Sequence, residues 1–251
     1  MEDVFRLDGS LSLVTGASKG IGASIAKALA RQGSDVLLLA RNLHELEIVA
    51  AEIRAMRKNA YVFKVDLSDP NQIEHFLRTE KEILTKLDHF ISNAAFTTLK
   101  TFMQTSMQEF DNLINVNVKG SVSLAKEIAE YMVSRGSGTM QFVTSVNAIN
   151  PLPSQAMYSS TKAMLESLMK CAASELARRG VRVNSVVPGA IMTDMNSHLS
   201  KEKLDELASI IPCGRIGVSE EVADVVAFLC SDAARYMYGS SVVVDGGILL
   251  R

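Results

Sequence analysis

The sequence predicts an α/β fold in which a doubly wound parallel sheet of about seven strands carries helices on both faces. Short β-branched or leucine-rich runs alternate with longer helical segments, as expected for parallel strands joined by helical crossovers. The run Val36-Leu37-Leu38-Leu39 is continuously apolar, which is typical of a strand buried on both faces. No internal repeat, low-complexity segment or linker interrupts the alternation, so we expect a single domain over residues 1–251.

Each predicted strand is a short apolar run bounded by polar or turn-forming residues. These strands span 11–15, 35–40, 61–65, 87–92, 138–144, 181–187 and 241–244. The predicted helices lie at 21–32, 43–58, from 69–70 onward, 107–134, 158–179, 201–209 and 219–231. Gly33 and Gly180 follow two of these helices, where a left-handed backbone favours glycine, and Pro70 opens a third. The stretch 191–217 is long and only partly helical, so we expect a functional loop or lid over the substrate.

The overall composition argues against several classes of function. The formal net charge of −2 gives no electrostatic reason to expect a nucleic-acid partner. No apolar run reaches the ~20 residues of a membrane-spanning helix, and the N-terminus carries acids rather than an apolar signal segment. Cys171, Cys213 and Cys230 are odd in number and far apart, which favours free thiols in a reducing compartment. The four histidines lack metal-ligand spacing, so we expect no metal site. The thiols, the N-terminus and the lack of a membrane-spanning run together predict a cytoplasmic protein with no membrane partner.

A glycine-rich turn joins the first predicted strand to the first predicted helix. Gly16, Gly20 and Gly22 are spaced as G-x-x-x-G-x-G, with Ser18, Lys19 and Ile21 between them. Ligands bind parallel sheets at the carboxyl ends of the strands, where this turn lies. Glycines permit a tight turn and let a pyrophosphate approach the amides of a helix N-terminus. We therefore predict a dinucleotide site here.

The end of the second strand should meet the adenosine ribose of that dinucleotide. The segment Leu39-Ala40-Arg41-Asn42 contains no acid that would bind a free ribose 2′-hydroxyl. Arg41, with Asn42 beside it, and Lys19 in the glycine turn could instead pair with a 2′-phosphate, which favours NADPH over NADH. The alternative is that both cations are solvated surface residues.

Ser145, Tyr158 and Lys162 form the candidate catalytic group. Tyr158 and Lys162 are four residues apart on a predicted helix, so they share a face. A phenol has a pKa of about 10, and a nearby ammonium should lower it toward neutrality by stabilising the phenolate. The same ammonium can hold ribose hydroxyls, and Ser145 at the end of a strand could hydrogen-bond the substrate oxygen. A Y-x-x-x-K pair alone arises by chance in many chains, so this interpretation depends on the serine and the glycine turn.

Together these motifs resemble the short-chain dehydrogenase/reductase family, and the resemblance covers nearly the whole chain. The matching motifs are Thr15-Gly16 to Gly22, Asp66, Asn93-Ala94-Ala95, Asn117, Ser145, Tyr158 with Lys162, Pro188-Gly189 with Thr193, and Asp245-Gly246-Gly247. The resemblance implies a Rossmann-type domain that binds NADP(H) and transfers a hydride to or from a substrate carbon.

The resemblance also implies roles for residues around the cofactor. Asp66, aided by Leu67, is expected to meet the adenine amino group, and Asn93, with Ala94 beside it, to steady the central sheet. Asn117 is expected to hold a water in a proton relay to Lys162. The loop expected to grip the nicotinamide carboxamide contains Pro188, Gly189, Ile191 and Thr193. In the simpler alternative, the two asparagines satisfy backbone groups and Thr193 caps a helix.

Two departures from the family pattern fall where the substrate should lie. Ala95 replaces a glycine, and Ser145-Val146-Asn147-Ala148 lacks the glycine that commonly follows the serine. These departures argue against assigning the substrate of the relatives to this chain directly. The expected pocket wall consists of Phe96, Val146, Asn147, Leu152, Met192 and Met195. Most of these side chains are apolar, which suits an acyl or other hydrophobic substrate, although they could be ordinary core or interface residues.

The expected function is NADPH-dependent reduction of a ketone, such as a 3-oxoacyl thioester or a similar hydrophobic carbonyl, to a secondary alcohol. The chain resembles 3-oxoacyl-acyl-carrier-protein reductases, which implies fatty acid metabolism and an acyl-carrier-bound substrate. Three alternatives stay open: enoyl-thioester reduction, oxidation of a hydroxysteroid or other secondary alcohol, and a catalytically idle binding protein. The four-residue spacing from Tyr158 to Lys162 argues against the first, and the complete catalytic group against the last.

The resemblance further implies a homotetramer or a homodimer. The helix at 158–179 carries Met164, Leu165, Leu168 and Met169, more apolar breadth than a surface helix needs. Part of this face could pack against a second subunit about a two-fold axis, and 242–250 could form a second interface.

Overall fold

The computed structural model describes residues 3–193 and 200–250. Its strands are β1 (Leu11–Thr15), β2 (Asp35–Ala40), β3 (Ala60–Lys64), β4 (His89–Ser92), β5 (Gly138–Val143), β6 (Val181–Pro188), β7 (Ile191–Met192), β8 (Gly217–Val218) and β9 (Ser241–Val244). The α-helices are α1 (Gly20–Gln32), α2 (Leu43–Ala55), α3 (Pro70–Thr79), α4 (Lys81–Leu84), α5 (Met107–Leu113), α6 (Ser121–Arg135), α7 (Ala156–Leu176), α8 (Lys201–Ile210) and α9 (Ser219–Cys230).

Seven strands form one parallel sheet in the order β3-β2-β1-β4-β5-β6-β9. The chain moves outward from β1 to β3 and then returns to place β4 on the other side of β1. The strand order therefore reverses between β1 and β4, and a crevice opens at the carboxyl ends of these strands. This confirms the predicted doubly wound parallel sheet.

Strand β2, which lies between β3 and β1, contributes to the core on both faces of the sheet. Val36 and Leu38 pack in one cluster with residues of α1, α2 and α9. Leu37 and Leu39 point to the other face and pack with residues of α3, α6 and α7. All four side chains are fully buried, and burial of each contributes roughly 1.5–3 kcal/mol to the hydrophobic term. The apolar run therefore has the two-sided burial that its sequence predicts.

Local backbone signals explain where several helices begin and end. Gly33 follows α1 with φ of 113°, and Gly180 follows the end of the α7 segment with φ of 80°, both left-handed. Asp69 caps α3 by accepting a hydrogen bond from the Asn71 backbone N–H, and Pro70 occupies the first turn. These features match the sequence prediction because each depends on a few adjacent residues.

The segment 107–134, predicted to be mostly helical, contains a change in helix type. A π-helical turn, Ile114–Gly120, separates α5 from α6. Gly120 ends it beside the backbone of Leu67, where a Cβ would lie 2.3 Å from the Leu67 carbonyl oxygen. A π-turn inserts an extra residue into the helical repeat, which hydrophobic periodicity does not reveal, and it often accompanies a functional site.

The two ends of the stretch 191–217 are paired with each other. β7 and β8 form a separate two-stranded parallel pair, and α8 lies between them in the chain. The predicted helix at 201–209 corresponds to α8, but strands of two residues are too short to show a periodic pattern. None of the helices in the described part of the chain is both long and apolar enough to cross a membrane.

Candidate active site

The turn between β1 and α1 is built so tightly that it requires glycine. Gly16 has φ of 65° and Gly20 has φ of 54°, conformations that L side chains rarely adopt. A Cβ on Gly22 would lie 2.1 Å from the Gly16 carbonyl oxygen. The turn leads directly into the N-terminus of α1, where free backbone amides and the helix dipole favour a phosphate group.

Asn93 and Thr15 connect the two strands on either side of the crevice. The Thr15 hydroxyl oxygen accepts hydrogen bonds from the backbone N–H groups of Asn93 at 2.9 Å and Ala94 at 3.0 Å. The Asn93 side-chain amide donates to the Thr15 carbonyl at 3.0 Å and to the Gly16 carbonyl at 3.4 Å. Asn93 therefore links the end of β4 to the end of β1 through Thr15, and its role beside the cofactor stays a prediction.

The end of β2 presents a cation beside this turn. The Arg41 side chain is exposed and forms no ion pair or hydrogen bond within residues 3–193 and 200–250. Asn42 accepts a hydrogen bond from the Glu45 backbone N–H at 3.3 Å and thereby caps α2. Lys19, in the glycine turn, is also exposed. Arg41 can thus receive an anion without breaking an existing interaction, whereas Asn42 already has a structural role.

Asp66 follows β3 at the same edge of the sheet. Its Oδ1 accepts hydrogen bonds from the backbone N–H of Ser68 at 2.9 Å and from the Ser68 hydroxyl at 2.8 Å. These bonds leave Oδ2 without a partner among the described residues. The carboxylate is partly exposed, and Leu67 beside it is buried. Asp66 is therefore oriented by its own turn and has one acceptor oxygen to offer.

Ser145, Tyr158 and Lys162 converge where β5 ends and α7 begins. Ser145 starts a short 3₁₀ helix, Val146–Ala148, and its hydroxyl lies close enough to the Tyr158 phenol to affect the phenol's pKa. Lys162 is only 2% exposed, and its Nζ donates to the Val143 carbonyl at 2.8 Å. The same Nζ lies 5.8 Å from the centre of the Tyr158 ring. The three predicted catalytic side chains are therefore brought together.

The direction of the Tyr158 pKa shift is opposite to the one expected from the sequence. Burial raises the pKa of Tyr158 to about 12, and the nearby Ser145 hydroxyl only partly opposes this effect. Burial also lowers the pKa of Lys162 to about 8. The expected lowering by the ammonium is wrong for this arrangement, because desolvation disfavours the charged form of both side chains. At neutral pH, the phenol keeps its proton and most of the Lys162 population stays charged.

Asn117 lies at the site but its side chain is already occupied. The residue is fully buried in the π-helical turn. Its Oδ1 accepts from the Phe96 backbone N–H at 3.0 Å, while Nδ2 donates to the Phe96 carbonyl at 2.9 Å and to the Thr161 hydroxyl at 3.2 Å. Asn117 thus joins the loop after β4 to the residue next to Lys162. This arrangement fits the alternative in which the amide satisfies backbone groups, and the water relay stays a prediction.

The loop after β6 faces the glycine turn. A Cβ on Gly189 would lie 2.7 Å from the Asp245 Cα, so the chain passes very close to the end of β9. Ile191 is buried and follows this close approach. A Cβ on Gly20 would lie 3.5 Å from the Thr193 methyl group, which places Thr193 against the turn. Thr193 therefore lies against the predicted dinucleotide site, whereas the contacts of Pro188, Gly189 and Ile191 with the cofactor stay predictions.

The expected pocket wall is divided between buried and exposed side chains. Val146 and Asn147 are buried beside Ser145, Phe96 is partly buried, and Leu152 and Met192 are 47% and 38% exposed. Met195 lies outside the described residues. The Asn147 side-chain amide also donates a hydrogen bond to Gln155, three residues before Tyr158, which the sequence analysis did not identify. Gln155 was missed because the bond joins a loop to a helix start and no local pattern predicts it.

The arrangement fits a nicotinamide dinucleotide. The turn of Gly16, Gly20 and Gly22 is narrow, because a side chain at Gly22 would collide with the backbone. It leads into the N-terminus of α1, which suits the phosphates of the dinucleotide. The Lys162 ammonium has three donors, and only the bond to Val143 is made within the described residues, so donors remain for ribose hydroxyls. The glycine turn lies at the strand-order reversal, and Lys162 lies at the carboxyl end of β5 on the same edge of the sheet, where such ligands bind.

Comparison with known proteins gives matches over nearly the whole chain. A family model described as enoyl-(acyl carrier protein) reductase matches residues 16–249. The 3-oxoacyl-acyl-carrier-protein reductase FabG of Staphylococcus aureus is 35% identical over 240 residues, covering 95% of this chain and 98% of that protein. The L-rhamnose 1-dehydrogenase (NAD(P)(+)) of a Sphingomonas species is 34% identical over 246 residues, covering 96% and 97%.

The solved structures show the same likeness in three dimensions. A short-chain type dehydrogenase/reductase from Mycobacterium marinum matches with a TM-score of 0.92 and 34% identity, and the match covers 99% of each chain. The similar proteins share the fold, but the names of the two curated relatives refer to different substrates.

Proposed function

Because this chain belongs to the short-chain dehydrogenase/reductase family, a family of oxidoreductases, we propose that it reduces a ketone to a secondary alcohol with NADPH. The observation that carries the proposal is the convergence of Ser145, Tyr158 and Lys162 at the carboxyl end of β5, the same edge of the sheet at which the glycine turn follows β1. A bound NADPH would supply the hydride to the carbonyl carbon. The remaining tasks, which are orientation of the substrate, proton donation and charge stabilisation, fall to residues of this chain.

Tyr158 is the proposed proton donor. With a pKa of about 12 it remains protonated at neutral pH, yet it is more acidic than an alcohol, for which water with a pKa of 15.7 is a guide. Proton transfer from the phenol to a developing alkoxide is therefore favourable. Ser145, whose hydroxyl lies near the phenol, orients the substrate oxygen, and the Lys162 ammonium stabilises the phenolate that remains.

The preference for NADPH is supported by Arg41. Its guanidinium is exposed at the end of β2 and matches the geometry of a 2′-phosphate, and no carboxylate occupies this strand end. One relative's name includes both NAD and NADP, so the family allows either cofactor. The available guanidinium favours the phosphorylated cofactor.

The proposed substrate class is a 3-oxoacyl thioester or a similar hydrophobic ketone. The similarity to FabG supports it, as does the apolar character of Phe96, Val146 and Leu152, which are predicted from the sequence to form the pocket wall. This substrate would place the protein in fatty acid metabolism in the cytoplasm. Oxidation of a secondary alcohol is the second candidate, supported by the similarity to L-rhamnose 1-dehydrogenase.

Three further assignments belong to the same proposal. We propose that residues 1–251 form one domain, that the stretch 191–217 acts as a lid over the substrate, and that the enzyme assembles as a homodimer or homotetramer. Met164 and Leu168 on α7 are 42% and 40% exposed and give the helix an apolar outer face that a second subunit would cover.

The experiment that tests the proposal is a substrate panel followed by absorbance of the reduced cofactor. Purified protein is mixed with NADPH and acetoacetyl-CoA, crotonyl-CoA or an oxosteroid, and separately with NADP⁺ and L-rhamnose. Among the compounds tested, only acetoacetyl-CoA is expected to cause rapid consumption of NADPH. If crotonyl-CoA, the steroid or the sugar is turned over faster than acetoacetyl-CoA, the proposed substrate class is wrong. If none of the four compounds is turned over, the proposed activity on these substrate classes is rejected.

A further inference from the structure

Next to the candidate catalytic group, Asn147 and Gln155 form a pair of side-chain amides. Asn147 lies two residues after Ser145, and its backbone N–H donates to the Ser145 hydroxyl oxygen at 3.2 Å. Gln155 lies three residues before Tyr158, immediately before α7 begins. The Asn147 Nδ2 donates to the Gln155 Oε1. The pair therefore connects the loop that carries Ser145 with the start of the helix that carries Tyr158.

The amide pair is not needed to complete the backbone hydrogen bonds around it. The Gln155 carbonyl accepts from the Ser159 N–H at 2.8 Å, and the Gln155 N–H donates to the Leu152 carbonyl at 3.3 Å. Gln155 makes no side-chain cap on α7. Its side chain is therefore available for recognition as well as for its contact with Asn147.

Each amide of the pair keeps one unused polar atom. The contact uses the Asn147 Nδ2 and the Gln155 Oε1, and no hydrogen bond within the described residues uses the Asn147 Oδ1 or the Gln155 Nε2. Neither atom is among the buried, unpartnered atoms of the described part of the chain, so both are accessible to solvent. The pair thus offers one acceptor and two N–H donors beside the reacting group.

The burial of Asn147 suggests why these atoms are present. Asn147 is only 6% exposed, and its neighbour Val146, at 8%, is apolar. A buried amide destabilises a protein unless it is hydrogen-bonded, and a pocket that only had to match an apolar shape would be more stable with apolar side chains. Two amides that leave donors and an acceptor open are instead suited to a substrate with a polar group of its own.

We propose that the Asn147–Gln155 pair is a specificity element that recognises a second carbonyl oxygen of the substrate, in the 1,3 position to the ketone that is reduced. Ser145 and Tyr158 hold the reacting oxygen, and the Gln155 amide donates to the second oxygen, which can only accept. The inference rests on the proposed function and deepens it: the substrates are 3-oxo esters or thioesters rather than isolated ketones.

Two ketones of equal chain length test the proposal. Ethyl acetoacetate carries the second carbonyl, whereas 2-heptanone replaces its ester group with methylenes. Because the ester also makes the ketone intrinsically more reactive, the informative quantity is how substitutions change the ratio of the two kcat/KM values. The main variant is Asn147→Leu with Gln155→Met, since replacing both partners with apolar side chains of similar shape leaves no unpaired buried amide.

For this double variant, we expect the ratio of the two kcat/KM values, that for ethyl acetoacetate divided by that for 2-heptanone, to fall about ten- to a hundredfold. Gln155→Glu provides a second variant that keeps the contact with Asn147 but loses the donor, and it should show the same selective loss. Gln108→Met, an equal change on the exposed surface of α5, is the control and should leave the ratio unchanged. Thermal unfolding and NADPH binding report whether each variant is folded.

The outcomes separate this inference from the proposed function. If the wild type reduces both ketones and the variants lower both kcat/KM values equally, or neither, the amide pair has no role in specificity and the inference is overturned. If the wild type reduces neither ketone, the proposed function and the inference fall together. A selective loss with ethyl acetoacetate in both variants supports the inference.

Discussion

The Lys162 ammonium lies 5.8 Å from the centre of the Tyr158 ring and donates its hydrogen bond to the Val143 carbonyl at 2.8 Å. Val143 is the last residue of β5, two positions before Ser145. The lysine is therefore fixed to the strand that carries the serine, while it shares a helix with the tyrosine. One buried side chain thus sets the relative position of both elements of the catalytic group.

Removal of the Tyr158 hydroxyl should abolish most of the reductase activity. We expect Tyr158→Phe to lower turnover about 10²- to 10⁴-fold, because general acid catalysis contributes a factor of this size. The ring stays in place, so thermal stability and NADPH affinity should be close to those of the wild type. The measurement is steady-state NADPH oxidation together with a fluorescence titration of NADPH.

Tyr131→Phe is the matched control for this substitution. The Tyr131 hydroxyl, on α6, bonds to Glu127 and lies outside the candidate catalytic group. Its removal should leave turnover unchanged. Near-normal turnover in the Tyr158 variant would show that another group donates the proton.

The reductase activity should decrease above a pH of about 8. Burial lowers the pKa of Lys162 to about 8, so the ammonium is charged below this pH and neutral above it. The pKa of Tyr158, at about 12, keeps the phenol protonated throughout the range from 6 to 10. Loss of the charge removes stabilisation of the developing phenolate, and we expect turnover to approach a tenfold decrease per pH unit above the pKa. Turnover measured from pH 6 to 10 checks this.

Lys162→Met distinguishes lysine titration from other causes of the pH effect. The variant should be slow at every pH and should show no break near pH 8. A break that persists in the variant, or a wild-type profile that stays flat to pH 10, would mean that a different group controls the rate.

Loss of the Arg41 guanidinium should weaken NADPH binding more than NADH binding. Arg41→Ala is expected to raise the Kd of NADPH about ten- to a hundredfold, the effect of one charge-assisted hydrogen bond, and to change the Kd of NADH less than about threefold. Arg78→Ala, which removes an exposed arginine of α3, is the control. Equal effects of Arg41→Ala on both cofactors would contradict contact with a 2′-phosphate.

The sequence predicted the parts of this structure that depend on local pattern. The strands are visible because buried parallel strands are continuously apolar, and the turn of Gly16, Gly20 and Gly22 is visible because no other residue fits it. The helical spacing of Tyr158 and Lys162 likewise fixed their common face. These features require only neighbouring residues and the periodicity of the helix or strand.

Features that arise from tertiary burial were not predicted. The sign of the Tyr158 pKa shift depends on how much protein surrounds the phenol, which spacing does not reveal. The π-helical turn around Asn117 and the contact between Asn147 and Gln155 depend on distant segments that meet only in the folded chain. The sequence therefore identified the candidate catalytic residues but not their electrostatic environment.

A side chain at Gly22 should damage both stability and cofactor binding. The Cβ of alanine at this position would lie 2.1 Å from the Gly16 carbonyl oxygen and 2.5 Å from the Asn93 Nδ2. The turn must open to accommodate it, so we expect Gly22→Ala to lower the free energy of unfolding by about 1–3 kcal/mol, as overpacking does elsewhere. Displacement of the turn should also weaken NADPH binding at least about tenfold, since the phosphate approach is lost.

Gly136→Ala separates this collision from the general cost of replacing a glycine. Gly136 has φ of 79°, but a Cβ there would meet nothing within 4 Å, and it lies between α6 and the amino end of β5, whereas the glycine turn follows the carboxyl end of β1. Its substitution should lower the free energy of unfolding by only about 1 kcal/mol and leave NADPH affinity unchanged. Urea unfolding and fluorescence titration of both variants give the comparison. If Gly22→Ala binds NADPH as tightly as Gly136→Ala, the turn does not contact the cofactor phosphates.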